Sequence, residues 1–226
     1  MPMLTRTRSP VICVVLIVSL FSLPVLSSPL IAQQRRGIDV NIRGGLLQCF
    51  DKDDAACENI RLGGGFGGMV GFRFLSYLSV GVDFGLYLFN PETLEKLDLA
   101  DFTFELRAYL PIRRMDVYGL FGGGFMQLAT ENSGFRLQET SWANMKWGGG
   151  FTVFFLESRQ FGSMGLGFEI AYLWTNLKNA KTCVTGTQSC TSERYHDDKP
   201  GRGINAFEYS LNWVWIVPIF SFISGR

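Results

Sequence analysis

From Gly37 to Val217 apolar and polar residues alternate almost one for one, and no other feature constrains the fold so tightly. A period of two puts successive side chains on opposite faces of a strand, and it cannot build the apolar stripe of a helix. In GIDVNIRGGL the apolar Ile38, Val40, Ile42 and Leu46 stand against Asp39, Asn41 and Arg43. Further on, Ile60, Leu62, Phe66, Val70, Phe72 and Phe74 oppose Arg61 and Arg73, and Leu78, Val80, Val82, Phe84, Leu86 and Leu88 oppose Asp83. Phe102, Phe104, Leu106, Ala108 and Leu110 oppose Thr103, Glu105, Arg107 and Tyr109. Met145, Trp147, Phe151, Val153 and Phe155 alternate with Asn144, Lys146 and Thr152. Leu166, Phe168, Ile170, Tyr172 and Trp174 alternate with Glu169 and Ala171. Last, Phe207, Tyr209, Leu211, Trp213, Trp215 and Val217 alternate with Glu208, Ser210 and Asn212. Only Val117–Ala129 has two similar faces, so its orientation stays unassigned.

The pattern predicts eight strands of roughly 10–15 residues, with no helical segment and no second domain. The connections alternate in length. Long polar segments are expected at Gln48–Asn59, Asn90–Asp98, Glu131–Ser141 and Asn176–Gly203, and short turns around Ser76, at Pro111–Asp116 and at Glu157–Ser163.

Within RLGGGFGGM, Gly63, Gly65 and Gly68 fit the G-x-G-x-x-G spacing of a dinucleotide loop, and Asp83 follows Gly63 by 20 positions. Such a loop must end a strand and open a helix. Here alternation continues through Met69–Leu75, and GGGF recurs at Gly122–Phe125 and Gly148–Phe151. The glycines belong to strands, and no cofactor is expected.

Alternation leaves open which face is buried. A soluble carrier would turn its apolar face inward around a ligand; a membrane barrel turns it outward to lipid. Four observations favour the second. Charges lie deep in the strands on the polar face: Arg43, Arg73, Arg107 and Lys146 against Asp39, Asp83, Glu105, Glu169 and Glu208, a near-balance suited to an enclosed ion-pair network. Glycines crowd that same face, and long side chains can cross a narrow eight-stranded lumen only where the facing wall is small. The apolar face is aromatic and nearly free of charge, as a lipid-facing surface must be. Long and short connections alternate, as do external loops and periplasmic turns.

Residues 1–32 read as a secretory signal: Arg6 and Arg8, then the apolar run Val11–Leu26, then small residues up to Ala32. Residues 33–226 would form the barrel domain. Four cysteines then remain, Cys49, Cys57, Cys183 and Cys190. Export favours disulfides, and the spacing suggests Cys49–Cys57 and Cys183–Cys190, although four cysteines permit three connectivities. A zinc site is not expected, since neither C-x-x-C nor nearby histidines occur. The formal net charge of +1 argues against nucleic acid as a partner.

On period, strand number and loop alternation, Gly37–Phe222 resembles the small eight-stranded outer-membrane barrels of the OmpA/OmpX type. The resemblance implies an all-β, antiparallel, up-and-down transmembrane β-barrel in the bacterial outer membrane. Its partners would be outer-membrane lipid, lipopolysaccharide and, during insertion, the barrel-assembly machinery. Such chains commonly end in an aromatic residue; here Phe220 or Phe222 must serve, followed by a short tail. The expected role is non-enzymatic, a structural component that displays surface loops for adhesion or another surface interaction. A small channel and a lipid-modifying enzyme are the alternatives. The latter rests on His196, the one histidine, beside Asp197 and Asp198 in the longest connection, with no histidine on any strand.

Overall fold

The computed structural model describes residues 35–50, 62–89, 96–132, 134–158, 160–184, 189–194 and 202–219. The strands are β1 Gly37–Cys49, β2 Leu62–Leu75, β3 Leu78–Phe89, β4 Lys96–Ile112, β5 Met115–Asn132, β6 Phe135–Ser158, β7 Gly162–Leu177, β8 Asn179–Val184, β9 Cys190–Arg194 and β10 Arg202–Val217. Each of β1 to β6 pairs antiparallel with the next, β7 pairs with β10, and β10 closes on β1. The ring therefore has eight strands, an all-β antiparallel up-and-down barrel without an open edge.

Burial is inside out. Ile42 and Phe104 on the outer wall are each 63% exposed, whereas Asp83 and Lys146 within the lumen are 0% exposed. An exterior of Ile, Leu, Val and Phe would be unstable in water and suits hydrocarbon. The unassigned segment falls into place in β5. Tyr118, Leu120, Met126 and Leu128 point inward, and Val117 and Phe121 point outward.

Two expected loops hold strand among their described residues. Glu131–Ser141 contains no long connection: β5 runs to Asn132 and β6 restarts at Phe135, and the two pair down to Asn132↔Phe135. Asn176–Gly203 contains the hairpin β8–β9, held by the Cys183–Cys190 disulfide. Polar composition misled here, because strand that extends past the apolar outer band needs no apolar outer face. The strands also run longer than expected, up to 24 residues in β6.

β6 reaches that length by shifting its facing twice. Trp142 and Ala143 are consecutive exposed residues, and so are Phe155 and Leu156. The β5 pairing shifts between Gly124 and Met126, and the β7 pairing between Phe154 and Leu156. A bulge inserts one residue and reverses the inward set beyond it. Thus Asn144, Lys146, Thr152 and Phe154 face inward in the middle, while Glu139 and Ser141 do so above. β8 continues β7 along β6 in the same frame: Met145 opposes Trp174 and Thr140 opposes Asn179. Lys178 N–H donates to Thr140 O at 3.2 Å across the break.

Gly162 opens β7 with φ of 82°, and a Cβ there would collide with the carbonyl of Ile216 on β10. Only glycine suits both the turn and that approach. Phe220 and Phe222 lie outside the described residues, as do residues 1–34, Cys57 and His196.

Candidate functional site

The lumen is filled in layers. At mid-height, Lys146 on β6 reaches four carboxylates: Asp83 at 2.9 Å, Glu208 at 3.0 Å, Glu105 at 3.2 Å and Glu169 at 3.7 Å. Arg43 on β1 pairs with Asp83 and, at 2.7 Å, with Glu208. Arg107 on β4 holds Glu105 at 2.8 Å and Glu169 at 3.2 Å. These residues come from six of the eight ring strands. Their union across the barrel depends on small neighbours: a Cβ on Gly67 would lie 3.2 Å from Arg43 Nε, and one on Gly122 would lie 3.0 Å from Glu105 Cγ.

A second cluster closes the short-turn end. Arg35, which precedes β1, turns inward to Asp116 and to Glu157 at 2.6 Å, and its guanidinium also bonds Arg113 O. Asp116 is shared with Arg73 at 2.7 Å, and Arg73 lies 3.9 Å above the Tyr109 ring. Tyr109 O–H donates to Asp39 Oδ2 at 3.0 Å. The structure thus splits the expected lumen charges. Arg43, Asp83, Glu105, Arg107, Lys146, Glu169 and Glu208 meet at mid-height, while Arg73 and Asp39 belong to the lower cluster.

Sequence reasoning missed Arg35, Asp101, Asp116 and Glu157. Arg35, Asp116 and Glu157 lie at or beyond strand ends, in segments read as turns or leader-proximal. Asp101 lay at the start of an expected strand, and its inward position could have been read from the parity of Thr103 and Glu105. Both of its carboxylate oxygens are buried without a protein hydrogen-bond partner. A Cβ on Gly85 would run into its Oδ1, and Tyr87 crowds the same position.

Above Asp101 the lumen turns apolar, with a cluster that the polar strand faces read from the sequence did not predict. Leu47, Tyr87, Phe89, Leu97, Leu99, Met126, Leu128, Leu173, Leu177, Ile204 and Ala206 form one buried cluster. They occupy inward positions of β1, β3, β4, β5, β7 and β10. The space is filled by packing at this level and by ion pairs below it.

On the outer wall, every tryptophan of the chain lies on β6, β7 or β10: Trp142, Trp147, Trp174, Trp213 and Trp215. Met145, Trp147, Tyr172, Trp174 and Phe207 line a shallow groove of about 530 Å³. Trp147 and Tyr172 stack at 4.6 Å, and Phe207 meets Tyr172 at 5.1 Å. Tyr172 O–H donates to Asn205 Oδ1 at 2.8 Å, a polar handle at the groove's upper edge.

Cys49 is disulfide-bonded. Among the described residues no cluster of His, Cys, Asp and Glu could hold a metal ion.

No family model matches the chain, and no curated protein matches it. Among solved structures, it is similar to neisserial surface protein A at 12% identity and a TM-score of 0.48, over 80% of this chain and 97% of that one. It is similar to the outer membrane protein OprG of Pseudomonas aeruginosa at 12% identity and a TM-score of 0.47, over 81% and 98%. A third is the outer membrane protease OmpT of Escherichia coli, at 7% identity and a TM-score of 0.32, over 80% and 97%.

Proposed function

We propose that the chain is exported to the bacterial outer membrane. There it acts as a non-enzymatic structural barrel and as a platform presenting its long connections outside the cell. The observation that carries this reading is the inverted burial: an apolar, aromatic-rich exterior, free of charge across its middle band, around an ion-paired interior. In water such a wall would drive aggregation, and in hydrocarbon such an interior keeps the strand-centre charges away from lipid. The short turns would face the periplasm, and β8–β9 with its disulfide would stand on the cell surface. Lipid, lipopolysaccharide and the assembly machinery are the partners this reading requires.

A conducting channel fits less well, since ion pairs and an apolar cluster occupy successive levels of the lumen. The deciding experiment is the gel mobility of detergent-extracted protein, boiled and unboiled, alongside Val82→Arg. A heat-dependent shift and a need for detergent are expected. Val82→Arg, on the outer face of β3, should cost about 2–4 kcal/mol and impair assembly, while Val82→Leu should be tolerated. Protein that is soluble without detergent, or normal membrane folding of Val82→Arg, would overturn the reading. Single-channel recordings should show no steady conductance.

A further inference from the structure

We infer that the outer wall of β6, β7 and β10 is a specific binding site for a phosphorylated, multi-chain glycolipid of the lipid A class; this rests on the membrane reading above. A barrel anchored by general aromatic girdles would distribute tryptophan around both rims. Here all five stand on three adjacent strands of the ring. The opposite wall, β2 to β4, faces lipid with Phe66, Val70, Val80, Phe84, Phe102 and Phe104.

The groove is shallow and open along the wall, which suits a ligand laid flat against it rather than one enclosed. Its lining residues lie on three neighbouring strands, a width of about 10 Å at the usual strand spacing. That exceeds one hydrocarbon chain and suits several side by side. The rings of Trp147, Tyr172 and Phe207 give it relief that a smooth Leu and Val wall lacks. The tails would lie here.

The head group is argued from charge. Directly above Trp174, on the same outward face, Lys178 and then Lys181 are exposed. At the rise of a tilted strand they stand roughly 10 Å and 18 Å above Trp174. Two ammonium groups at different heights over an apolar groove match an amphiphile with more than one phosphate. Arg136 is also exposed on this wall, but it sits opposite Glu131 in the β5–β6 ladder and is not needed. The bend at Trp142–Ala143, and its counterpart at Lys178–Asn179, place these lysines where the barrel wall gives way to the extension.

The test is native mass spectrometry of the mature protein in dodecyl maltoside. Diphosphorylated lipid A, monophosphorylated lipid A and phosphatidylglycerol are titrated in turn. Diphosphorylated lipid A should bind with the highest apparent affinity, at least tenfold above phosphatidylglycerol. The double variant Lys178→Glu, Lys181→Glu should lose that preference, again by about tenfold. Trp147→Ala with Tyr172→Ala should weaken all three lipids, whereas Phe84→Ala with Phe104→Ala on the far wall should not.

Equal binding of the three lipids, or an unchanged preference after the lysine reversal, would overturn the site. So would loss of a dimer in Trp147→Ala with Tyr172→Ala, which would make a second copy the occupant. If that aromatic variant fails to fold, the lysine variant and the lipid series decide alone, since both lysines lie beyond the apolar band. A heat-modifiable, detergent-dependent protein that shows no lipid preference would sink this site and leave the membrane reading standing.

Discussion

Lys146 and Leu173 stand opposite one another across β6 and β7, both fully buried, yet they belong to different interiors. Lys146 is the hub of the mid-height ion network, and Leu173 belongs to the apolar cluster above it. The two halves fill the same narrow tube by different physics. The lower half desolvates charges and recovers the cost through close pairing, which succeeds only if each partner is present. The upper half gains from burying apolar surface and tolerates imperfect fit at a smaller cost. The lower half should therefore be brittle to single changes, and the upper half more forgiving.

The comparison can be broken by removing the hub. Lys146→Met keeps the side-chain length but leaves Asp83, Glu105, Glu169 and Glu208 with Arg43 and Arg107 as their cationic partners. The expected loss is about 3–5 kcal/mol, read as a lowered urea midpoint for the folded band on unboiled gels. A midpoint within error of the wild type would mean that these carboxylates are not charged in the folded barrel.

Leu99→Ala probes the other half. It removes a side chain that is 0% exposed within the apolar cluster, and it should cost about 3 kcal/mol by the same readout. A negligible effect would show that the upper interior is hydrated, and the contrast between the halves would fall.

The smallest expected effect lies at the edge of the lower cluster. Arg113 in the β4–β5 turn has a positive φ of 52° and accepts a bond from Arg35 through its backbone carbonyl alone. Arg113→Gly keeps that acceptor and removes the left-handed strain, so it should stabilise the barrel by about 1 kcal/mol. A destabilised variant would assign the Arg113 side chain a role that the backbone bond does not explain.

Much of this was legible in the sequence, for a physical reason. Around the ring, alternation is enforced on both sides, by an apolar wall outside and by a crowded lumen inside. Residues such as Arg43, Asp83 and Lys146 could therefore be assigned to the interior from parity alone. Beyond the apolar band that enforcement stops. β8, β9 and the upper part of β6 are polar strands whose composition is that of a loop. The apolar cluster was hidden differently: Leu47, Leu97, Leu99 and Leu177 fall at the ends of the expected strands or in segments read as connections. Arg35 gave no signal, because a residue ahead of the first strand carries no parity.

The twin bends in β6 and in β7–β8 have a consequence for length variation among chains of this shape. Deleting Ala143 alone would slide the upper part of β6 by one position against β8 and turn Arg136 and Gln138 out of step with Cys183 and Lys181, their present neighbours. Deleting Ala143 together with Lys178 would restore both ladders, and every other residue would keep its side of the wall. One-residue gains and losses at this rim are therefore workable as matched pairs, a bookkeeping rule that would show up between homologues as correlated gaps in two strands.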